Sequence, residues 1–167
     1  MSCSPQPISE AFIALGSNLD DPGSRLLLAF DELAQLPSSR LLARSSLYRS
    51  APVGQLDQPD FINAVAQVKT ALPPHDLLEA LLEIEHRHGR VRTYPNAPRT
   101  LDLDMLTYDD LQCDECSLVL PHPRMHQRAF VLQPLLEIAP DCRIPGRGAV
   151  AELLAACKGQ RIARERN

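Results

Sequence analysis

The sequence predicts one α+β domain in which helices pack against an antiparallel sheet. Three observations support this prediction: the 167 residues are enough for one core, 44% of them are apolar, and strand-like segments are interleaved with segments of helical periodicity. We expect a single domain over residues 1–167, with its core at about residues 11–140 and a helical tail at 141–167.

The predicted elements follow in the order strand, helix, strand, strand, helix, strand. Proline at the first turn marks the start of both helices, and glycine marks the end of the second. Alternating or short apolar runs mark the strands. The elements are residues 11–16 (AFIALG), 22 to about 36, 43–50 (which alternates loosely), 61–70 (FINAVAQVKT), 74–89 and 99–106 (RTLDLDML). This order is that of the ferredoxin-like βαββαβ fold, with additional C-terminal helices that could cover the second face of the sheet.

Charge and cysteine content narrow the class of protein. The net charge of −4 argues against a general surface for nucleic acids or anionic membranes, although fifteen of the seventeen basic residues are arginine. The N-terminal residues lack a signal-peptide pattern, and no segment has the length of a membrane span. Five cysteines, an odd number scattered along a chain without an export signal, argue against a disulfide framework. We therefore expect a cytoplasmic protein with reduced cysteines, without nucleic-acid or membrane partners.

The last predicted strand carries two carboxylates, which are unusual in a strand. Asp102 and Asp104 share one face with Thr100, at about 7 Å spacing along the strand. Two such carboxylates can hold Mg²⁺, which prefers oxygen ligands and often takes the rest of its ligands from phosphates. The alternative is an edge strand with a solvent-exposed face, where the two aspartates need no ligand. This segment alone supports the two interpretations about equally.

Three arginines precede the aspartates. Arg90, Arg92 and Arg99 lie in the loop and strand entry next to the pair, and a metal with several guanidinium groups suits a polyphosphate. Each arginine taken singly could instead form a surface ion pair. No GxxxxGK[ST] pattern is present, which excludes a P-loop.

Three further patterns allow two interpretations each. His122, beside two arginines, could contact phosphate or be a solvated loop residue. Phe61 and Phe130 could sandwich a flat ring or belong to the core. The pattern formed by Cys113, Cys116, His122 and His126 could bind zinc in a small interaction domain, although its central gap of five residues is short for a zinc finger.

Several segments in a row resemble the 6-hydroxymethyl-7,8-dihydropterin pyrophosphokinase family. These are ALGSNL (14–19), DQPDFINAV (57–65), GRVR (89–92), APRTLDLDML (97–106) and PHPRMHQRAFVLQPL (121–135). The resemblance runs from about residue 12 to 140 and implies a ferredoxin-like fold. It implies that diphosphate passes from ATP to the hydroxymethyl group of 6-hydroxymethyl-7,8-dihydropterin, with release of AMP, in folate biosynthesis. Two Mg²⁺ are implied as cofactors, ATP and the pterin as small-molecule partners, and we expect a monomer.

The resemblance also implies residue roles. Both Mg²⁺ would be held by Asp102 and Asp104, with Arg90 and Arg99 as the catalytic cations. ATP contacts are implied for Arg92, Met105, His122 and Arg128, with Glu85 nearby. Pterin contacts are implied for Gly16, Ser50, Pro52, Val53, Phe61, Asn63 and Phe130.

One segment departs from the family pattern. The loop between Arg92 and Arg99 reads TYPNAP and lacks the tryptophan and the additional basic residue found there in some members. Such loops close over substrates, so the rate of turnover is the property most affected by this departure. The βαββαβ order also occurs in RNA-recognition modules, but FINAVAQV lacks their aromatic stacking motif.

Overall fold

The computed structural model describes residues 6–52, 56–89 and 98–166. Its main sheet contains β1 (Ser9–Ser17), β2 (Ser39–Arg44), β3 (Tyr48–Ser50), β4 (Phe61–Thr70), β5 (Asp102–Tyr108) and the C-terminal β10 (Ile162–Arg164). Two small hairpins are formed by β6 (Cys113–Asp114) with β7 (Val119–Leu120), and by β8 (Arg143–Ile144) with β9 (Gly148–Ala149). The helices are α1 (Pro22–Ala34), α2 (Pro74–Arg87), α3 (Ala129–Ile138) and α4 (Val150–Ala155), and a 3₁₀ turn (Met125–Gln127) precedes α3.

The strand order of the main sheet is β10-β3-β4-β1-β5, and β2 pairs with β4 beside β3. All of these pairings are antiparallel. When β2 and β3 are counted as one broken strand, this is the ferredoxin-like arrangement, so the predicted fold is confirmed.

The second predicted strand, residues 43–50, is instead two strands with a break at residues 45–47. Arg44 pairs with Ala66 and Tyr48 pairs with Asn63, so the broken strand has one residue more than β4 across the break. The Ser45 hydroxyl accepts a hydrogen bond of 2.9 Å from the Val65 amide in place of a backbone partner. A single pattern of alternation could not span this irregularity.

Apolar side chains cover both faces of the sheet. On one face, β1, β4 and β5 pack against α1 and α2 around fully buried side chains such as Ile13 and Leu81. On the other face, Val65 and Leu106 pack against α3 and α4. The expectation that a later helix covers the second face is confirmed. Strand β4 alternates between the two cores, with Ile62, Ala64 and Ala66 in the first and Val65 in the second.

The helix ends agree with the local signals, with small differences. Helix α1 begins at Pro22 as predicted and ends at Ala34, two residues before the expected end. Asp21 precedes it with φ of 58° and makes no side-chain cap. Helix α2 ends at Arg87, and Gly89 follows with φ of 76°, a conformation that favours glycine.

The predicted helical tail at 141–167 is wrong in most of its length. The six residues of α4 are its only helix among the described residues. Gly146 and Gly148, at φ of 73° and 109°, turn the chain in the β8–β9 hairpin. Beyond α4 the chain pairs with the edge of β3 as strand β10, because that edge offers unpaired backbone groups.

Truncation of a core side chain of α2 tests the packing between this helix and the sheet. Leu81 is fully buried between α2 and the sheet. We expect Leu81→Ala to lower the free energy of unfolding by about 2–5 kcal/mol, because it leaves a cavity. Urea denaturation measures the change. Leu82→Ala is the matched control, since Leu82 on the same helix is 42% exposed; equal losses for the two variants would contradict the packing described.

Candidate active site

A cavity of about 310 Å³ lies over the α3 face of the sheet, at the ends of β1, β4 and β5. It is lined by Ala14, Leu15, Gly16, Ser50, Ala51, Phe61, Asn63, Arg99, Asp102, Asp104, His122, Arg128, Phe130 and Val131. Ten of the residues predicted for the site are among these. Residues that are far apart in the sequence therefore converge on one cavity.

The two aspartates lie on the cavity face of β5. Asp102 pairs across the ladder with Gly16, and Asp104 pairs with Ala14. Both partners are small, so the surface of β1 opposite the carboxylates leaves space for a ligand. A Cβ on Gly16 would lie 3.5 Å from the Asn63 amide oxygen, which would narrow this space. Leu103, between the aspartates, points into the α1–α2 core, as the period of two predicts.

Arg99 is held at the entry to β5 by a buried asparagine. The Asn18 side-chain oxygen accepts a hydrogen bond of 2.9 Å from the Arg99 backbone amide, and the Asn18 backbone amide donates to the Arg99 carbonyl at 3.1 Å. Asn18 is itself fixed because its side-chain nitrogen donates to the Gln58 side chain at 2.7 Å and to the Pro59 carbonyl at 3.0 Å. The Arg99 guanidinium lies 3.4 Å from an Asp102 oxygen.

Sequence reasoning did not single out Asn18 as a site residue. The signal available was its position directly after a buried strand, in ALGSNL, where polar side chains often meet a ligand or a neighbouring loop. Its role as an anchor for Arg99 depends on a segment more than 80 residues away in the chain, so only the tertiary structure reveals it.

On the α3 side of the cavity, the Arg128 guanidinium has restricted access to water. Burial lowers the pKa of the Arg128 guanidinium, and Asp104 opposes this effect. The same guanidinium lies 5.5 Å from the centre of the Phe130 ring, within range of a cation–π contact. With Arg99 and Arg128 facing two carboxylates, the cavity suits a ligand that carries both negative charge and bound cations.

His122 is neutral in the unliganded protein near pH 7. Burial, together with the nearby Arg128 charge, lowers its pKa from 6.5 to about 4, while Asp102 has the opposite effect. The His122 amide donates to the Leu106 carbonyl at 2.8 Å, which fixes the residue beside β5. A neutral imidazole can accept or donate a hydrogen bond without adding charge.

The titration of His122 is a direct check of this environment. We expect its ring resonances in NMR spectra of the ligand-free protein to shift with a midpoint near pH 4, well below the ordinary 6.5. Because folding lowers this pKa, the stability that the neutral form contributes is complete above pH 6.5 and is lost as the pH falls toward 4. A midpoint at 6 or above for His122 would contradict the burial described.

The cavity also has a buried amide and two aromatic rings. Asn63 is 5% exposed, and its side-chain nitrogen donates to the Ser50 hydroxyl at 2.7 Å. Phe61 and Phe130 both line the same cavity. Flat polar ligands are bound in such places, where a few fixed polar groups lie in apolar surroundings.

Six of the predicted site residues do not appear in this cavity. Arg90, Arg92 and Val53 lie outside the described residues. Met105 is 5% exposed in the core against α1 and α2, because its position on β5 alternates with the aspartates and points to the opposite face. Glu85 is 3% exposed, and its carboxylate accepts a hydrogen bond of 2.7 Å from the Leu103 amide. Pro52 is buried and does not line the cavity.

The zinc interpretation receives no support. Among the described residues, no group of three or more histidine, cysteine, aspartate or glutamate side chains is placed to hold a metal ion. The Cys113 thiol instead donates to the Leu118 carbonyl at 3.5 Å within the β6–β7 hairpin. Within the same part of the chain, no helix has the length and hydrophobicity needed to cross a membrane.

Comparison with known proteins gives the family. The chain matches the model of the 7,8-dihydro-6-hydroxymethylpterin-pyrophosphokinase (HPPK) family over residues 12–140. Two relatives bear the name 2-amino-4-hydroxy-6-hydroxymethyldihydropteridine pyrophosphokinase. The one from Pseudomonas aeruginosa is 48% identical over 157 residues, which are 94% of this chain and 97% of the relative. The one from Haemophilus influenzae is 45% identical over 144 residues, 86% of this chain and 90% of the relative.

Solved structures show the same fold. The HPPK-DHPS protein of Plasmodium falciparum superposes with a TM-score of 0.71 at 13% identity, over 90% of this chain. This chain spans 46% of that longer protein, and the likeness at this identity concerns the fold alone. The family model and the relatives together establish that the chain belongs to the 7,8-dihydro-6-hydroxymethylpterin-pyrophosphokinase family, whose activity is the transfer of diphosphate from ATP to 6-hydroxymethyl-7,8-dihydropterin in folate biosynthesis.

Proposed function

We propose that the cavity between β5 and α3 is where this protein binds ATP and the pterin and transfers the diphosphate. The observation that carries the proposal is the convergence of the Asp102 and Asp104 carboxylates, the Arg99 guanidinium and the Phe61–Asn63 end of β4 on one cavity. Phosphates and a flat heterocycle can then lie side by side, with the reacting atoms between them.

The donor set of the cavity fits Mg²⁺. Two carboxylates lie at alternate positions of one strand, and the described residues offer no third acidic, histidine or cysteine ligand beside them. This suits Mg²⁺, which is commonly held by one or two carboxylates and by the phosphates of a nucleotide. We propose that Asp102 and Asp104 hold two Mg²⁺ together with ATP. Bound there, Mg²⁺ supplies positive charge that offsets the charge developing on the phosphate oxygens.

The arginines of the cavity have two roles in this proposal. Arg99, next to Asp102, stabilises negative charge on the transferring group together with Arg90, and Arg92 contacts ATP; Arg90 and Arg92 lie outside the described residues. Arg128 and the neutral His122 bind the phosphates of ATP from the α3 side. The oxygen of the pterin hydroxymethyl group forms a bond with the β-phosphorus, and its hydroxyl proton is released. The bond between that phosphorus and the bridging oxygen of the α-phosphate breaks, and AMP leaves with that oxygen.

The pterin binds at the aromatic end of the cavity. Phe61 and Phe130 contact its faces, and Asn63 with Ser50 hydrogen-bonds its polar edge. Gly16 leaves room for the ring beside β1, since a side chain there would approach Asn63. We further propose that the protein works as a monomer in the cytoplasm, where ATP is supplied.

Product analysis tests the reaction. Purified protein is mixed with ATP, Mg²⁺ and 6-hydroxymethyl-7,8-dihydropterin, and the nucleotides are separated by chromatography. We expect AMP to form only when the pterin is present, because attack is at the β-phosphorus. Omission of the pterin and chelation of Mg²⁺ with EDTA are the controls. Formation of ADP would indicate transfer of a single phosphoryl group and would contradict the proposal.

A further inference from the structure

The C-terminal segment after α4, residues 158–166, is fixed against the sheet. Its strand β10 pairs with β3, with Ile162 opposite Ser50. The Glu165 amide donates to the Leu47 carbonyl at 2.8 Å, and the Glu165 carboxylate lies 2.6 Å from the Arg49 guanidinium. Since the backbone on the C-terminal side of Gln160 is ordered by these contacts, this side chain loses less entropy when it makes hydrogen bonds.

Gln160 bonds the backbone on both sides of Arg128. Its side-chain oxygen accepts a hydrogen bond of 2.9 Å from the Ala129 amide, and its side-chain nitrogen donates to the Gln127 carbonyl at 2.7 Å. Helix α3 starts at Ala129 without a side-chain cap from Arg128, the residue at its N-cap. Gln160 therefore satisfies a terminal amide of α3 and a carbonyl of the preceding 3₁₀ turn with one planar group.

The backbone of Arg128 is fixed by other bonds as well. Its amide donates to the Met125 carbonyl at 3.3 Å, and its carbonyl accepts from the Val131 and Leu132 amides at 3.0 Å each. Gln160 bonds the two neighbouring backbone groups, the Gln127 carbonyl before Arg128 and the Ala129 amide after it. Arg128 is thereby set at the junction of the 3₁₀ turn and α3, with its guanidinium in the cavity beside Phe130.

We propose that Gln160 is a positioning residue for nucleotide binding: it fixes the backbone around Arg128 so that the guanidinium is aimed at the ATP phosphates. This inference rests on the proposed function, in which Arg128 contacts ATP. It gives the C-terminal segment a part in the site although none of its residues lines the cavity. A guanidinium that must meet phosphate oxygens in a fixed geometry is sensitive to small backbone shifts, so the effect should fall on ATP.

A double-mutant cycle separates positioning from general stability. We expect Gln160→Ala to raise KM for ATP by about five- to tenfold, the effect of losing the hydrogen bonds of one side chain. KM for the pterin should stay close to that of the wild type, and the melting temperature should fall by no more than a few degrees. In an Arg128→Ala background, Gln160→Ala should raise KM for ATP less than about twofold further, because its effect passes through Arg128. Gln127→Ala is the matched control, since its side chain is exposed and only its carbonyl makes the bond.

The same cycle is repeated for binding of a non-hydrolysable ATP analogue by calorimetry. The positioning role would be overturned if Gln160→Ala left KM for ATP and the affinity for the analogue unchanged. It would also be overturned if the fold-changes of the two single variants multiplied fully in the double variant. Equal rises in both KM values with a lower melting temperature would also overturn it, since that pattern indicates a general loosening. A wild-type protein that forms no pterin-dependent AMP would refute the proposed function, whereas the calorimetric cycle still decides whether Gln160 acts through Arg128.

Discussion

Asp102→Asn and Asp104→Asn, each made alone, should lower kcat by at least about a thousandfold while the protein stays folded. Asparagine keeps the size of aspartate and removes the negative charge that we propose holds Mg²⁺. Both aspartates lie on the cavity face of β5 opposite Gly16 and Ala14, so the exchange disturbs no packing in the α1–α2 core. Initial rates of AMP formation at saturating ATP and pterin measure the effect.

Asp110→Asn is the matched control for the two variants. Asp110 is exposed in the turn that follows β5 and does not line the cavity. We expect this variant to keep wild-type activity. Circular dichroism and thermal melting check that all three variants are folded, and wild-type activity that is lost with EDTA should return on addition of Mg²⁺. Near-normal turnover in either cavity variant would refute the metal assignment.

Arg99→Ala should lower kcat by about a hundred- to a thousandfold, with much smaller changes in KM for either substrate. Arg99 lies 3.4 Å from Asp102, in the part of the cavity where we place the transferring phosphates. A guanidinium there stabilises charge that develops during transfer more than charge present beforehand. Its loss therefore affects the transition state more than ground-state binding.

Steady-state kinetics with both substrates varied distinguish these effects. Arg99→Lys should recover part of the rate, because lysine keeps the charge but not the two-pronged geometry. The control is Arg143→Ala, since Arg143 is exposed in the β8–β9 hairpin away from the cavity. A variant of Arg99 that changes only KM for ATP would assign this residue to ground-state binding instead.

The features that the sequence predicted correctly have local causes. The alternation of RTLDLDML fixes the faces of β5, since side chains of a strand alternate whatever lies around them. It sends Asp102 and Asp104 to the cavity. The same rule turns the side chain of Met105, for which the resemblance implied an ATP contact, to the opposite face. Helix α2 was equally clear, because proline and glycine mark its ends.

The features that were missed depend on partners distant in the sequence. The amide of Arg99 bonds to Asn18 across 81 residues, and the amide of Ala129 bonds to Gln160 across 31. The position of Asn18 after a buried strand indicates that its side chain meets a ligand or a loop, but nothing local in Asn18 or in the exposed Gln160 identifies the partner. The C-terminal segment forms a strand because the edge of β3 is available to it, and that edge exists only once the sheet has formed.

The sequence by itself determined the order of the main elements, the two faces of β4 and β5, and the pair of carboxylates with arginines beside it. These follow from periodicity and turn residues, which act over a few positions. Only the tertiary structure decided which predicted residues line the cavity, how Arg99 and Arg128 are anchored, and that burial lowers the pKa of His122 to about 4. Burial and long-range hydrogen bonds arise when distant segments pack together, and for that reason a local pattern could not specify them.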